Sequence, residues 1–148
     1  MLMSIGDVLA LKGSNVRMIE PDETIGQLSR ELMQQRIGAM VVSRDGKTID
    51  GIISERDIAY SLADRRGELH LLKVSALMTR KVVTCTPAHS LSSVAALMSK
   101  YRIRHLPVVQ EGVLVGLISI RDVLEYRIVE VERKTSLIGR LFSSNSER

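Results

Sequence analysis

Two short segments carry the residues best suited to chemistry. Ser54-Glu55-Arg56-Asp57 and Ser119-Ile120-Arg121-Asp122 each follow a glycine and two apolar residues. Gly51-Ile52-Ile53-Ser54-Glu55-Arg56-Asp57 returns as Gly116-Leu117-Ile118-Ser119-Ile120-Arg121-Asp122, identical at five of seven positions and offset by 65. Ser followed three residues later by an acid is a capping box, in which hydroxyl and carboxylate satisfy the orphan amides of a helix start. Capping does not require the Arg that stands beside the Asp in both copies. A helix N-terminus with a hydroxyl and a guanidinium is also a phosphate cradle. The carboxylate offers two acceptor oxygens, matching the neighbouring hydroxyls of a ribose. Capping and nucleotide binding are compatible, and the motif alone does not choose between them.

The elements that must position these residues are themselves repeated. Glu20-Pro21 pairs with Thr86-Pro87, Arg36-Ile37 with Arg102-Ile103, Val42 with Val108 and Asp45-Gly46 with Glu111-Gly112, all at an offset of 66. Collinear matches of this kind mark a duplication. The drop to 65 at Gly116 predicts a hairpin one residue shorter in copy two. Each copy reads as strand, helix, two strands, helix. Val16 to Glu20 and the β-branched run Val82 to Thr86 are the first strands. Thr24 and Ser90 are N-caps for helices whose apolar faces carry Ile25, Leu28 and Leu32, or Leu91, Val94, Leu97 and Met98. Met40 to Val42 and Ile49 to Ile53 turn at Asp45-Gly46; Leu106 to Val109 and Val113 to Ile118 turn at Glu111-Gly112. The closing helices are Ile58 to Ala63 and Val123 to about Glu132. Ile5-Gly6-Asp7-Val8-Leu9 corresponds to Val74-Ser75-Ala76-Leu77-Met78 as a lead-in to each copy. These matches divide the chain into a first repeat with its lead-in (1–63), a linker (64–73, including Arg65-Arg66), a second repeat (74–132) and a tail (133–148). Leu137, Ile138, Leu141 and Phe142 form a docking patch in that tail, and Ser143-Ser144-Asn145-Ser146 is expected to fray.

Composition narrows the class. The 148 residues are 45% hydrophobic but only 3% aromatic, so the core is built from aliphatic side chains. No segment approaches the ~20 apolar residues a bilayer requires, and the start has no signal-peptide pattern; a soluble cytoplasmic protein is expected. Cys85 is the one cysteine, read as a small buried hydrophobe. It permits neither an intrachain disulfide nor a cysteine metal cluster, and three scattered His provide no metal-ligand spacing. His70 and His89 are placed at the surface. The methionines, Met33, Met98, Met18 and Met40 among them, are read as core filler. A net charge of +4 favours an anionic partner. Without aromatic platforms among the basic residues, nucleic acid is a poor candidate. There is neither a Walker loop nor G-x-G-x-x-G.

The duplicated order, the Leu106-Pro107-Val108-Val109 strand and the paired Ser-x-Arg-Asp segments resemble tandem cystathionine β-synthase (CBS) domains, from about residue 4 to 130. The resemblance implies an α/β (α+β) fold in which two β-α-β-β-α repeats pack sheet to sheet as a stand-alone, pseudo-twofold pair of bacterial type. It also implies two clefts for AMP, ATP, NAD(H) or related adenosyl ligands. Carried across, phosphate falls to Ser54 or Ser119, with Arg56 or Arg121 beside it, and ribose to Asp57 or Asp122. A crossed arrangement gives the Asp122 cleft a wall of Asn15, Val16, Gly38 and Ala39. The Asp57 cleft receives Lys81, Val82 and the stretch around Arg104. Arg104 and His105 precede a strand where copy one has Gly38 and Ala39, and on this ground the Asp122 cleft is expected to be the tighter phosphate site. Copy one departs from the pattern at Val41, where copy two has Pro107. The resemblance further implies a homodimer joined through Ile58 to Ala63 and Val123 to Ile128.

The function so indicated is a non-catalytic, adenine-nucleotide-binding regulatory module that senses energy or redox state. Its main competitor is a structural or partner-binding protein with unoccupied clefts. For His105, a phosphate or structural role is preferred to catalysis, because no nucleophile and orienting acid accompany it.

Overall fold

A computed structural model describes residues 2–65 and 67–144. The Arg66 part of the linker and the Asn145-Ser146 part of the expected fraying lie outside the described residues, whereas Ser143 and Ser144 are helical. Helix α1 (Ile5–Lys12) is capped by Ser4, whose Oγ accepts from the Asp7 amide at 3.1 Å while Asp7 Oδ2 accepts from the Ser4 amide at 2.9 Å. Strand β1 (Met18–Ile19) pairs in parallel with β2 (Ala39–Val42), which pairs antiparallel with β3 (Gly51–Ser54). Helix α2 (Ile25–Gln35), capped by Thr24, connects β1 to β2, and α3 (Glu55–Asp64) follows Ser54 directly. After a 3-10 turn (Leu69–Leu71) comes α4 (Val74–Leu77), then α5 (Leu91–Tyr101) capped by Ser90. Copy two closes with the hairpin β4 (His105–Gln110) and β5 (Val113–Ser119) and with α6 (Ile120–Ser144).

Three expectations are corrected. Val82 to Thr86 does not form a strand: only Cys85 bridges Val108, because β4 lends that edge two backbone bonds, from Cys85 N to Pro107 O and from Val109 N to Cys85 O. The closing helices begin immediately after Ser54 and Ser119 rather than three residues later, and α6 runs to Ser144 instead of ending near Glu132. Nothing in the local sequence stops α6 there, since Arg133 and Lys134 are good helix formers. Met33, read as core, is 72% exposed.

The repeat matches have backbone meaning. Arg36 and Arg102 both adopt φ +53° and close α2 and α5 in the left-handed conformation. Glu111 and Gly112, at φ +51° and +76°, form a two-residue turn, as hairpin twist prefers. In copy one Asp45 organises a longer loop, accepting from the amides of Lys47 and Thr48 at 2.8 and 2.7 Å. Those bonds hold its carboxyl far below the usual carboxylate range. Copy two is therefore the shorter hairpin, with a register shift at Val108/Val109.

The two lead-ins are exchanged. Met3, Ile5, Val8 and Leu9 pack into one core with Cys85, Leu91, Val94, Met98, Leu106, Val108, Ile118 and Val123. Val74 and Met78 pack into the other with Ile19, Ile25, Leu28, Leu32, Met40, Val42, Ile53 and Leu69. Backbone bonds seat each: Ile5 N to His89 O and Gly6 N to Pro87 O, against Val74 N to Glu23 O and Ser75 N to Pro21 O. The motif glycines follow from this seating. A Cβ on Gly51 would stand 2.7 Å from Met78 Sδ and 2.9 Å from Thr79 O; one on Gly116 would stand 2.6 Å from Leu9 Cδ2. Glu130, 2% exposed, ties the N-terminal segment to α6 by accepting from Met3 N at 2.6 Å and from Arg127 Nη1 at 2.8 Å. No helix among the described residues is long and apolar enough to cross a membrane.

Candidate functional site

The strand-to-helix junctions of the two copies are built alike. At β3–α3, Asp57 Oδ2 accepts from Ser54 N at 2.7 Å and Ser54 Oγ at 3.0 Å, and Ser54 Oγ accepts from Asp57 N at 3.3 Å. At β5–α6, Asp122 Oδ2 accepts from Ser119 N at 2.8 Å and Ser119 Oγ at 3.1 Å, with Asp122 N donating to Ser119 Oγ at 3.2 Å. Both motifs are thus capping boxes. Each junction is also tied to the strand that opens its hairpin: Glu55 N donates to Gly38 O at 2.9 Å and Ile120 N to Arg104 O at 2.8 Å.

Around Asp57 these elements leave a groove between the copies. Gly38, Ala39, Ile52, Ser54, Glu55, Arg56 and Asp57 form one side. Thr79, Lys81, Val82, Val83, Arg102, Ile103, Arg104 and His105 form the other. Four cationic side chains thus face two carboxylates, a balance that suits an anionic ligand. The apolar stretch Ile52, Val82, Val83 and Ile103 suits a flat ring. Asp57 Oδ1 has no hydrogen-bond partner among the described residues. Arg56 Nη1 donates to Arg102 O at 3.4 Å, a contact from copy one to copy two. The cavity volume is about 170 Å³, below the ~300–1,000 Å³ of pockets that engulf drug-sized ligands, so a nucleotide would lie partly exposed at its mouth.

His105 stands in the same groove, its ring within 3.2 Å of a Cβ placed on Gly38. Burial holds its pKa below the ordinary imidazole value; Glu55 and Asp122 pull it up, and Arg104 and Arg56 push it down. Neutral at pH 7, it can accept or donate a hydrogen bond.

The Asp122 side differs. Lys12 Nζ, at the end of α1, lies 2.7 Å from Asp122 Oδ2 and 2.8 Å from Leu117 O. Lys12 was missed by sequence reasoning, although a signal was present. Counting three residues on from the matched pair Leu9 and Met78 reaches Lys12 in one copy and Lys81 in the other. Lys81, Val82 and Arg104 lie on the Asp57 groove, where they are expected; Gly38 and Ala39, expected on the Asp122 side, line the Asp57 groove as well, together with the neutral His105. The physical reason is that β2 and β4 start opposite each other, so the leading residues of both strands meet at one opening. Asn15 and Val16 follow Lys12 and are not among the walls of the groove; Arg121 is exposed outside it.

Among the remaining discounted residues, Cys85 is buried, its thiol pushed up to about 11 by desolvation. His70 is exposed, and His89 Nδ1 accepts from the Thr86 amide at 3.1 Å. Among the described residues no group of three or more His, Cys, Asp or Glu is placed to hold a metal ion.

Comparison with known proteins agrees with this architecture. A CBS domain-containing mitochondrial protein of Arabidopsis thaliana is 31% identical over 129 residues, which is 82% of this chain and 63% of that protein. The chain thus spans less than two thirds of that relative, and 31% of another, from Thermofilum pendens. The crystal structure of a CBS-domain-containing protein from Agrobacterium tumefaciens superposes with a TM-score of 0.82 at 35% identity, covering 86% of this chain and 95% of that one. The CBS domain pair of the protein MJ0100, described in complex with 5′-methylthioadenosine and S-adenosyl-L-methionine, has the same fold, with a TM-score of 0.76 at 24% identity over 88% of this chain and 99% of that one. The CBS domain profile matches residues 5–64 and again 74–129. With two matches that coincide with the two structural copies, the chain belongs to the CBS domain family as a tandem pair.

Proposed function

We propose that this CBS pair is a regulatory module that binds an adenine nucleotide, AMP, ATP or NAD(H), in the Asp57 groove. The observation that carries the reading is an unengaged carboxylate oxygen on Asp57 beside Ser54, Arg56, Lys81 and Arg104, in a groove with an apolar stretch. In the proposed pose Asp57 accepts from the ribose hydroxyls. The phosphate meets Ser54, Arg56 and Arg104, with His105 as a further donor. The base lies on Val82 and Ile103, beside Lys81. The adenosyl ligands described for the MJ0100 pair share the ribose and base that such a pose uses.

Because the walls come from both copies, a ligand couples them. It signals only if it binds one relative pose, or one pairing of chains in a homodimer, better than the other. Isothermal titration calorimetry of AMP, ATP, NAD, NADH and S-adenosyl-L-methionine against wild type and Asp57→Ala tests the reading. Micromolar binding of one ligand, lost in the variant, is expected. Absence of heat with all five would overturn nucleotide sensing in favour of a structural or partner-binding pair with empty clefts.

A further inference from the structure

The two repeated motifs differ in charge at one position, Glu55 against Ile120. A groove suited to anions thus carries a carboxylate beyond the one on Asp57, and His105 lines the same groove. The two side chains converge on Gly38. The point where a Gly38 Cβ would stand is 3.4 Å from Glu55 Oε1, 3.4 Å from His105 Nε2 and 3.2 Å from His105 Cε1. Gly38 is not among the glycines with positive φ, so its backbone does not demand glycine. The missing side chain leaves room for imidazole and carboxylate to meet. Among the described residues no side chain is hydrogen-bonded to the His105 ring, whose place is set by the backbone: β4 pairs His105 with Ser119. The carboxylates around the ring are Glu55 and Asp57 of α3 and Asp122 of α6, the last already bonded to Lys12 of α1. The cations are Arg56 of α3, Arg104 of β4, Arg102 after α5 and Lys81 in the chain after α4. Strand β2 adds no charge, since it meets the ring through Gly38 and Ala39.

We propose that a phosphate-bearing ligand enters the Asp57 groove together with a proton, which His105 takes up and Glu55 holds in place. The inference rests on the nucleotide reading of that groove and assigns its regulation. In the free protein burial keeps the ring neutral, while Glu55 and Asp122 favour its charged form and Arg104 and Arg56 oppose it. A phosphate at Ser54, Arg56 and Arg104 changes this balance twice. It neutralises the two guanidiniums that repel a proton on His105, and it adds negative charge beside the ring. An opposite charge within ~4–6 Å is enough to carry an imidazole from neutral to charged near pH 7. Glu55 then accepts from the charged ring, which gives the carboxylate a use in a groove for anions. Proton and phosphate each strengthen the binding of the other by the same factor. Affinity for a phosphate-bearing ligand therefore rises as pH falls through neutrality. Adenosine, with the same base and ribose but no phosphate, binds without this dependence. The Asp122 junction, with Ile120 in place of Glu55, has no such pair.

Calorimetry of AMP, ATP and NAD on the full chain at pH 7, in buffers of low and high ionisation enthalpy, counts the protons taken up. A terminal phosphate itself titrates near pH ~6, so the quantity read is the difference between wild type and His105→Gln. Wild type should take up about half a proton more per bound ligand than the variant. Between pH 8 and pH 6 its affinity should gain about tenfold over the variant's. Glu55→Gln, at an exposed position, keeps the test open should His105→Gln fail to fold, and it should cut the uptake by roughly half. Uptake with adenosine should be absent. Heat without uptake, equal uptake in wild type and His105→Gln, or unchanged uptake in Glu55→Gln would overturn the inference and leave the nucleotide site standing. Heat from S-adenosyl-L-methionine alone would overturn it too, because that ligand brings no phosphate. No heat with any of these ligands would overturn the nucleotide reading itself, and this inference with it.

Discussion

The two junctions share a capping box to within a few tenths of an ångström, yet one faces an open groove and the other holds a lysine. At Asp57 the cations Arg56, Lys81 and Arg104 surround a carboxylate that none of them engages. At Asp122 a single cation, Lys12, is already bonded to the carboxylate. The difference arises in the lead-ins. Helix α1 runs through Lys12 and delivers its ammonium to Asp122, whereas α4 stops at Leu77 and leaves Lys81 in a bend of the connecting chain along the groove wall. A duplicated motif can therefore be preserved in geometry and still be divided in use. What a site binds is decided by the length of a neighbouring helix as much as by the motif.

The largest effect expected from this contrast concerns ligand affinity. Asp57→Ala should weaken nucleotide binding by about 100-fold or more, since hydrogen bonds to a charged group contribute ~1.5–3 kcal/mol each. Asp122→Ala should change it less than about threefold. Both variants lose the same cap, so calorimetry on the pair separates binding from folding. Equal losses would break the contrast.

Next comes the packing beneath the two motifs. Gly51→Ala drives a methyl against the Thr79 carbonyl as well as Met78, while the atoms nearest the methyl of Gly116→Ala all belong to the branched end of Leu9. Overpacking typically costs ~1–3 kcal/mol. Gly51→Ala should sit at the upper end of that range, about 3 kcal/mol, and Gly116→Ala near the lower, about 1 kcal/mol. Urea denaturation would show whether that order holds.

Lys12→Ala should raise the binding stoichiometry from one to two while lowering stability by less than about 1 kcal/mol, because the pair is partly exposed. Two equivalents in wild type, with one lost on Lys12→Ala, would make the lysine a ligand contact instead.

The smallest effect is on pH dependence. The folded-state pKa of His105 lies below its ordinary value, so the unfolded chain takes up the proton first. The stability of the neutral form is present above about pH 6.5, the ordinary imidazole value, and declines as pH falls below it toward the folded pKa. His105→Gln should flatten that part of the decline, read as the difference in urea midpoint between pH 7 and pH 5.

Much of the fold was legible in the sequence. Ser54, Asp57, Ser119 and Asp122 repeat at fixed spacing, and a capping box is a local structure that needs nothing beyond its own four residues. Arg36 and Arg102 were legible only as a repeated pair; that both close a helix in the left-handed conformation is seen in the structure. Strand formation at Val82 to Thr86 was not decided locally, since a β-branched run pairs only where an edge is free, and β4 offers its edge to Cys85 alone. The placing of Gly38 and Ala39 was invisible because it depends on how two copies meet. Lys12 escaped notice because a lone lysine at a helix end is ordinary until the helix is seen to end on a carboxylate.

The exchange of lead-ins has a consequence for how the chain is made. Copy one lacks Leu69, Val74 and Met78 until those residues have been synthesised, so a chain halted at residue 64 should stay unfolded by circular dichroism. Helix α1, made before the rest of either copy, has its docking surface among Leu91, Leu106 and Val123, which are translated much later. The helix made ahead of both copies is thus among their last elements to find a place, and neither copy can be trimmed away to leave the other intact.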